Sequence, residues 1–469
     1  MKTECTTPRV EFHPHFRRCV TGAFDGGTIT SDGGGLLLRE LERRMGAIRS
    51  FARCFSDYRN PDKIEHSVEA LVAQRVYGLA LGYEDLNDHD ELRRDPLLAV
   101  LAGKADCEGK TRPRRRDRGK ALAGKSTLNR LELATPEGAA GDRYKKIVLD
   151  ETKAADVFVD IFLRAHAEAP REIVLDLDAT YDPLHGNQEG RFFHGYYRNY
   201  CYLPLYIFFG DFLLCAKLRP SNIDASFGAI EDVARIVERI RARWPNVKIV
   251  LRADSGFCRE GLMAWCEAHG VDYIFGLAKN SRLIEAVAAD LAAAQARFAE
   301  TGRAARRFNE FAYRTLKTWS RSRRVIAKAE HLPKGSNPRF IVTSLDGEAR
   351  TLYENVYCAR GDMENRIKEQ QLYLFADRTS AATLRANQIR LWFASLAYTV
   401  VQLLRHFLLR GTRMGRAQCH TIRLKLLKIG ARVRVTARRI WVSFTEACPY
   451  ADVLRAVVAR LARLPVMRC

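Results

Sequence analysis

Arg171-Glu-Ile-Val-Leu-Asp-Leu-Asp-Ala-Thr180 is the stretch that decides how this chain folds. Its apolar residues form a short run bounded by polar ones, the pattern of a strand buried on both faces. Asp176 and Asp178 lie two apart near its end, so they share one side of the strand. A polar turn, DPLHGNQEG, follows. Residues 195–220, GYYRNYCYLPLYIFFGDFLLCAKLRP, alternate aromatic and apolar positions like two more strands. Next come a helical pattern, ASFGAIEDVARIVERIRARW, and a second buried strand, VKIVLRAD, ending at Asp254. A helix, REGLMAWCEAHG, and a strand, DYIFGLAK, complete the run.

Three strands, a helix, a strand, a helix and a strand form the element order of an α/β, RNase H-like core, whose first part spans 171–280. From 281 to 345 the pattern shifts to a helix and then basic strands (FNEFAYRTLKTW, RRVIAKAEH, PRFIVTSL), which predicts a β-rich insertion. Residues 346–410 resume the core with a helix carrying Glu364 and a long apolar helix. A C-terminal region, 411–469, holds a hairpin-like pair, ARVRVTA and RRIWVSF, and a last helix. Residues 1–150 read as a mostly helical, basic region. Its first 30 or so residues look irregular, and a capped amphipathic helix follows Ser31-Asp32.

Lys and Arg number 77 against 55 Asp and Glu, a net charge of +22 in 469 residues. Such an excess on a chain with 47% hydrophobic residues points to a globular protein with a polyanionic partner, most simply nucleic acid. In the N-terminal region Arg114, Arg115, Arg116, Lys120, Lys125 and Arg130 are the candidate phosphate contacts. The opening residues predict no secretory signal, and the run Leu391 to Leu404 is too short to span a bilayer. It reads as a buried helix of a cytoplasmic, nucleoid-associated protein, with no membrane partner. Twelve cysteines without a CxxC pair predict buried, reduced thiols rather than zinc or disulfides. Gly119 to Ser126 fits the phosphate-loop pattern GxxxxGK[ST]. It follows RPRRRDRG where a nucleotide-binding loop follows an apolar strand.

A third acidic element lies downstream. Tyr357-Cys-Ala-Arg360-Gly-Asp-Met-Glu364 sets Tyr357, Arg360 and Glu364 at i, i+3 and i+7, on one face of a helix. Asp178, Asp254 and Glu364 together supply three carboxylates from three elements, which is what a two-metal phosphodiester site requires. In these residues the chain resembles the DDE-type transposases of bacterial insertion sequences, in the subgroup with a Tyr-x2-Arg-x3-Glu-x6-Lys signature. HGNQEG, LAGKSTLNRLE, FADRTSAATLRANQIRLWFASLAY and TIRLKLLKIGARV extend the likeness over most of the chain.

The resemblance implies a cut-and-paste DNA transposase. It would bind its element's terminal inverted repeats and target DNA, acting as a homodimer that pairs two ends. Asp178 would bridge two Mg²⁺ ions (Mn²⁺ being an alternative), Asp254 would hold one and Glu364 the other. Asp176 is the alternative to Asp178, which is preferred for the following Ala-Thr180. Glu369 competes with Glu364. Arg360 would clamp a DNA-end phosphate, and Tyr357 would bond the same phosphate or pack inside. The signature lysine falls on Gln371, leaving Lys368 nearest to replace it. Trp319, in the insertion, is the candidate to stack on a flipped base. The rival readings are a metal-dependent nuclease that cuts without joining and a domesticated DNA-binding protein.

Overall fold

The structure, a computed structural model, describes residues 9–138 and 141–465. A large mixed sheet forms its centre. Its strands are β1 (Glu172–Ala179), β2 (Leu205–Phe209), β3 (Phe212–Lys217), β4 (Lys248–Ala253), β5 (Asp272–Leu277), β6 (Ala305–Tyr313), β7 (Arg323–Leu332) and β8 (Arg339–Thr343). They lie in the order β3-β2-β1-β4-β5-β8-β7-β6, and the two-residue strand Gly335–Ser336 pairs with β7. β2 runs antiparallel to both β1 and β3. β4 is parallel to β1, and β5 to β4. From β8 outward the pairing is antiparallel. Residues 281–345 therefore lengthen this sheet past β5, because β8 hydrogen-bonds directly to it.

The pleat of β1 divides the interior in two. Ile173, Leu175 and Leu177 are buried in a core that runs from Leu37 to Leu461. Val174 faces a smaller cluster of Val250, Ile274, Ile326 and Ile341, closed over by Leu352 and Tyr353. Asp176 and Asp178 follow Val174 on this second side, which places the acidic end of β1 beneath the segment leading to Glu364.

The N-terminal helices α1 (Leu36–Met45) and α2 (Val68–Leu81) belong to the main core. Ser67 caps α2 by accepting the Ala70 N–H at 3.2 Å, and α2 ends at Gly82 with φ +97, a conformation glycine adopts at no steric cost. α3 (Glu151–Ala165) packs on β3, and α4 (Ala229–Arg243) and α5 (Glu260–Ala268) lie in the connections to β4 and β5. α6 (Ala288–Thr301) packs on β6 and β7. The helices after β8 include α7 (Gly361–Lys368), which carries Glu364, and α8 (Leu384–Leu404). α8 lies against α2, β3 and α1. Among the described residues one helical stretch, Leu384–Leu409, is long and apolar enough to cross a membrane, and 89% of an apolar 18-residue segment of it is buried inside the protein.

The start of the chain departs from the irregular segment its sequence suggests. Arg9–His15 and Arg18–Ala23 pair as an exposed antiparallel hairpin, and Ile29–Thr30 adds a third strand to the C-terminal pair Ala431–Val435 and Ile440–Phe444. Cys19 and Cys358 are exposed and Cys448 is partly so, unlike the expected buried thiols, while Cys54, Cys107, Cys201, Cys215, Cys258, Cys266 and Cys419 are buried. Cys5 and Cys469 lie outside the described residues.

Candidate active site

Asp178 is the second-last residue of β1, half-buried, opposite Tyr206 of β2. β1 and β4 are in parallel register up to Leu177 and Ala253, so Asp254, the next residue, leaves its strand beside Asp178. Asp254 caps the short turn Ser255–Phe257, its Oδ1 accepting the Gly256 N–H at 2.8 Å; Oδ2 is not engaged by that cap. Glu364 stands exposed on α7, where Arg360 Nη2 donates to its Oε1 at 3.3 Å.

These groups share one electrostatic neighbourhood. Burial pushes the Asp178 carboxyl up; Arg360 pulls it back, Asp254 and Glu364 push it further, and the result is about 6. Burial works against the charge on Arg360, but Asp178, Tyr357, Asp254 and Glu364 outweigh it and hold the guanidinium above its ordinary value. Arg360 is thus a cation on which all three carboxylates act, though it pairs directly only with Glu364 among the described residues. Among the described residues no three His, Cys, Asp or Glu side chains converge closely enough to hold a metal ion as they stand. The donor chemistry still fits a hard divalent cation, because all three groups offer carboxylate oxygen and their charges already oppose one another. Glu364, with 48% of its side chain exposed, is free to turn from Arg360 toward such an ion.

The two competing acids are committed elsewhere. Asp176 sits opposite Arg252 in the register and binds it through two oxygens, at 2.5 and 2.8 Å, both side chains buried. Arg252 also donates to the Val356 carbonyl at 2.6 Å, so the pair ties β1 and β4 to the segment before Tyr357. Glu369 is fully buried, paired with Arg405 at 3.1 Å and accepting the Cys419 N–H at 2.9 Å. Burial raises its carboxyl, but Arg405 and the Cys419 bonds win and hold it below the ordinary value.

The run from Tyr357 to Glu364 is helical but not uniform. Wide turns occupy Leu352–Tyr357 and Glu369–Tyr373, with a tight turn at Cys358–Arg360 and α7 between them. Wide turns of this kind recur at functional sites because they re-aim side chains within a helix. Tyr357 reaches β5: a Cβ on Gly276 would lie 2.6 Å from the Tyr357 hydroxyl and 2.9 Å from Ser255 N. Gly276 lets the hydroxyl and the Asp254–Ser255 backbone approach the sheet. A glycine inside a strand pattern is the sequence signal for such an approach. Gln371, at the signature's lysine position, donates from Nε2 to the Tyr181 carbonyl at 3.1 Å, beside the exit of β1, while Lys368 is exposed on α7. Tyr197, absent from the sequence-based candidates, also lies here. Burial first, then Asp178, Tyr196 and Asp254, raise its hydroxyl above the ordinary value.

Other expected contacts fall elsewhere. Trp319 occupies the loop between β6 and β7 and is buried at 4% exposure, its ring against Tyr313 and the Arg323 guanidinium. It offers no open face to a base, which corrects the stacking role its sequence position suggested. Arg114, Arg115 and Arg116 are exposed at a turn. Lys125 is held by Asn87 at 2.8 Å and Asp90 at 3.5 Å, and Arg130 lies over Tyr144. Among the described residues none of these five bonds to the carboxylate group. Among the described residues no strand leads directly into the GxxxxGK[ST] pattern, which follows the turn at Arg115–Asp117. Its Ala123 and Lys125 amides are spent on Gln74 and Asp90, at 3.0 and 3.2 Å, so no phosphate cradle exists there.

Residues 12–466 match the family model described as "Transposase DDE domain group 1". No curated protein matches the chain. Among solved structures, a cryo-EM structure of the piggyBac transposase synaptic complex with hairpin DNA is similar at 11% identity and a TM-score of 0.41, over 85% of this chain and 80% of that one. With its carboxylate-bearing sheet and a family match over nearly its full length, the chain belongs to the transposase DDE domain group 1 family.

Proposed function

We propose that this protein is a DNA transposase that binds the terminal inverted repeats of its insertion sequence, cuts the ends and joins the freed 3′-hydroxyls to target DNA. The observation that carries the reading is the grouping of Asp178, Asp254 and Glu364 around Arg360 at the end of a sheet ordered β3-β2-β1-β4-β5. That order, with only β2 antiparallel to its neighbours, supports an RNase H-like core of residues 171–280 and 346–410. Residues 281–345 are its β-rich insertion, 1–150 its basic DNA-binding region and 411–469 its C-terminal region.

Asp178, Asp254 and Glu364 would hold Mg²⁺. An ion held there would supply a charge that could activate the attacking oxygen and stabilise the leaving oxygen of an in-line displacement at phosphorus. Arg360, always charged and planar, binds a phosphate oxygen of the DNA end, and in doing so releases Glu364. The Tyr357 hydroxyl and the Asp254–Ser255 backbone both close on Gly276 of β5, which seats them together. The Asp176–Arg252 pair holds β1 and β4 in the register that sets Asp178 beside Asp254. Arg114, Arg115 and Arg116 fix the DNA by its backbone, and two copies pair two ends.

A plasmid carrying the DNA that flanks the reading frame supplies the substrate. Asp254→Asn is expected to retain DNA binding and to lose Mg²⁺-dependent cleavage; cleavage by that variant would remove Asp254 from the site. Joining of a pre-cut end to a second plasmid separates a transposase from a nuclease.

A further inference from the structure

The chain leaving β1 builds a small sheet beside the carboxylates. Asp182–Pro183 pairs with Asn199–Tyr202, which pairs with Phe192–His194. Residues Gly195 to Arg198 form the tip. This hairpin is tied to the exit of β1: Asn199 Nδ2 donates to the Tyr181 hydroxyl at 2.7 Å, and the Tyr197 ring lies 4.9 Å from that of Tyr181, three residues past Asp178.

The outer surface of the hairpin is unusual for a soluble protein. Tyr196 is 84% exposed, Phe193 57% and Tyr200 41%. Large aromatic rings left in water cost free energy unless something covers them, and they are enriched where flat ligands bind. The charged residues of the hairpin itself are of one sign. Arg191 lies over the Tyr200 ring at 3.8 Å, Arg198 is exposed at the tip, and no acidic residue occurs from Gly190 to Gly210. Arg198 has φ +52, a left-handed conformation that costs a non-glycine residue on the order of 1 kcal/mol. Exposed rings interleaved with arginines form the surface that holds unstacked nucleotides, since every base offers a π-face and every nucleotide a phosphate.

We infer that the Phe192–Tyr202 hairpin is a stacking platform for unpaired nucleotides of the DNA strand being processed, with Tyr196 and Phe193 holding the bases and Arg198 the phosphate between them. This rests on the DNA-processing reading above and adds the element that receives the strand once its bases leave the duplex. Tyr197, packed inward between Tyr181 and His194, anchors the platform to the catalytic side. With Trp319 buried, this hairpin is an exposed aromatic surface beside the exit of β1.

The test uses the full chain and fluorescence anisotropy with two probes. One is a labelled oligo(dT) of about 20 nucleotides, longer than the roughly 4–16 nucleotides such a surface covers; the other is a duplex of the same length. Tyr196→Ala and Phe193→Ala are each expected to weaken oligo(dT) binding about tenfold. Tyr196→Phe should bind like the parent, and duplex affinity should stay within about twofold, because paired bases cannot reach the rings. Parent-like oligo(dT) binding by both alanine variants overturns the inference. So does an equal loss on both probes, which marks a general loss of charge or fold. A parent protein that binds neither probe removes the DNA-processing reading itself. A parent that binds and nicks duplex while the alanine variants bind oligo(dT) unchanged removes only the platform.

Discussion

Alanine at position 276 is the sharpest test of how the sheet seats the Asp254 end of β4. The added carbon would stand 2.6 Å from the Tyr357 hydroxyl, 2.9 Å from Ser255 N and 3.2 Å from the Asp254 carbonyl carbon. The Tyr357 ring can tilt and carry its hydroxyl away. The Ser255 amide cannot, because it is backbone, held between β4 and the turn that Asp254 caps. Bringing it to ordinary contact requires a shift of about 0.5 Å. Overpacking of this size costs about 1–3 kcal/mol, seen as a lower melting temperature. Since a misplacement of about 1 Å costs about a hundredfold in rate, a shift half as large predicts roughly a tenfold loss of Mg²⁺-dependent nicking, with DNA binding intact. Adding Tyr357→Phe to Gly276→Ala removes the shortest contact and should recover part of the melting loss but little nicking. A Gly276→Ala protein that melts and nicks like the parent would refute the close approach and with it the seating of Asp254.

Two further outcomes follow from the buried charges. Arg252→Met leaves Asp176 buried without its partner and should destabilise the chain by about 3–5 kcal/mol in denaturant titration, with Asp176→Asn in the same chain restoring much of it. A loss under about 1 kcal/mol would mean the pair is not holding β1 to β4. Asp178 has its carboxyl raised from 3.8 to about 6, so it favours the folded chain fully below its ordinary value, and that contribution fades as pH rises through about 6. Without metal, replacing Asp178 by Asn should therefore flatten a fall in melting temperature between pH 5 and pH 7. Added Mg²⁺ should raise the melting temperature more at pH 7, where the carboxylate is free of its proton, than at pH 5; equal shifts at both would take Asp178 out of the metal site.

The strands bearing Asp178 and Asp254 were legible because each is an apolar run closed by a polar turn, and burial on both faces leaves few other solutions. The choice between Asp176 and Asp178 was not. It depends on Arg252 lying opposite Asp176, and cross-strand register is a tertiary fact that neither strand's own pattern contains. Glu369 reads like Glu364 on a charged helix until Arg405 and the Cys419 amide, far along the chain, close over it. Trp319 sits among basic residues, which made it a candidate for stacking, yet Arg323 turns inward to meet Glu260 and Glu267 and lies over the buried indole. The first 30 residues lack strong periodicity, and their hairpin forms by local antiparallel pairing without burial to announce it. That the strands after residue 300 would continue the central sheet depended on β8 finding β5, again a matter of pairing.

The joining of the two ends of the chain governs how it can be made. Ile29–Thr30 needs Ala431–Arg432 to pair with, and the last carbonyls of α2, Leu79 and Ala80, are bonded by Arg423. α2 itself is buried against α8. At a ribosomal pace of about 5–20 residues per second, the early segments wait roughly 20–80 s for these partners to emerge. Any chain stopped before residue 384 lacks α8 and leaves the buried face of α2 without its cover, so an interrupted product exposes apolar surface.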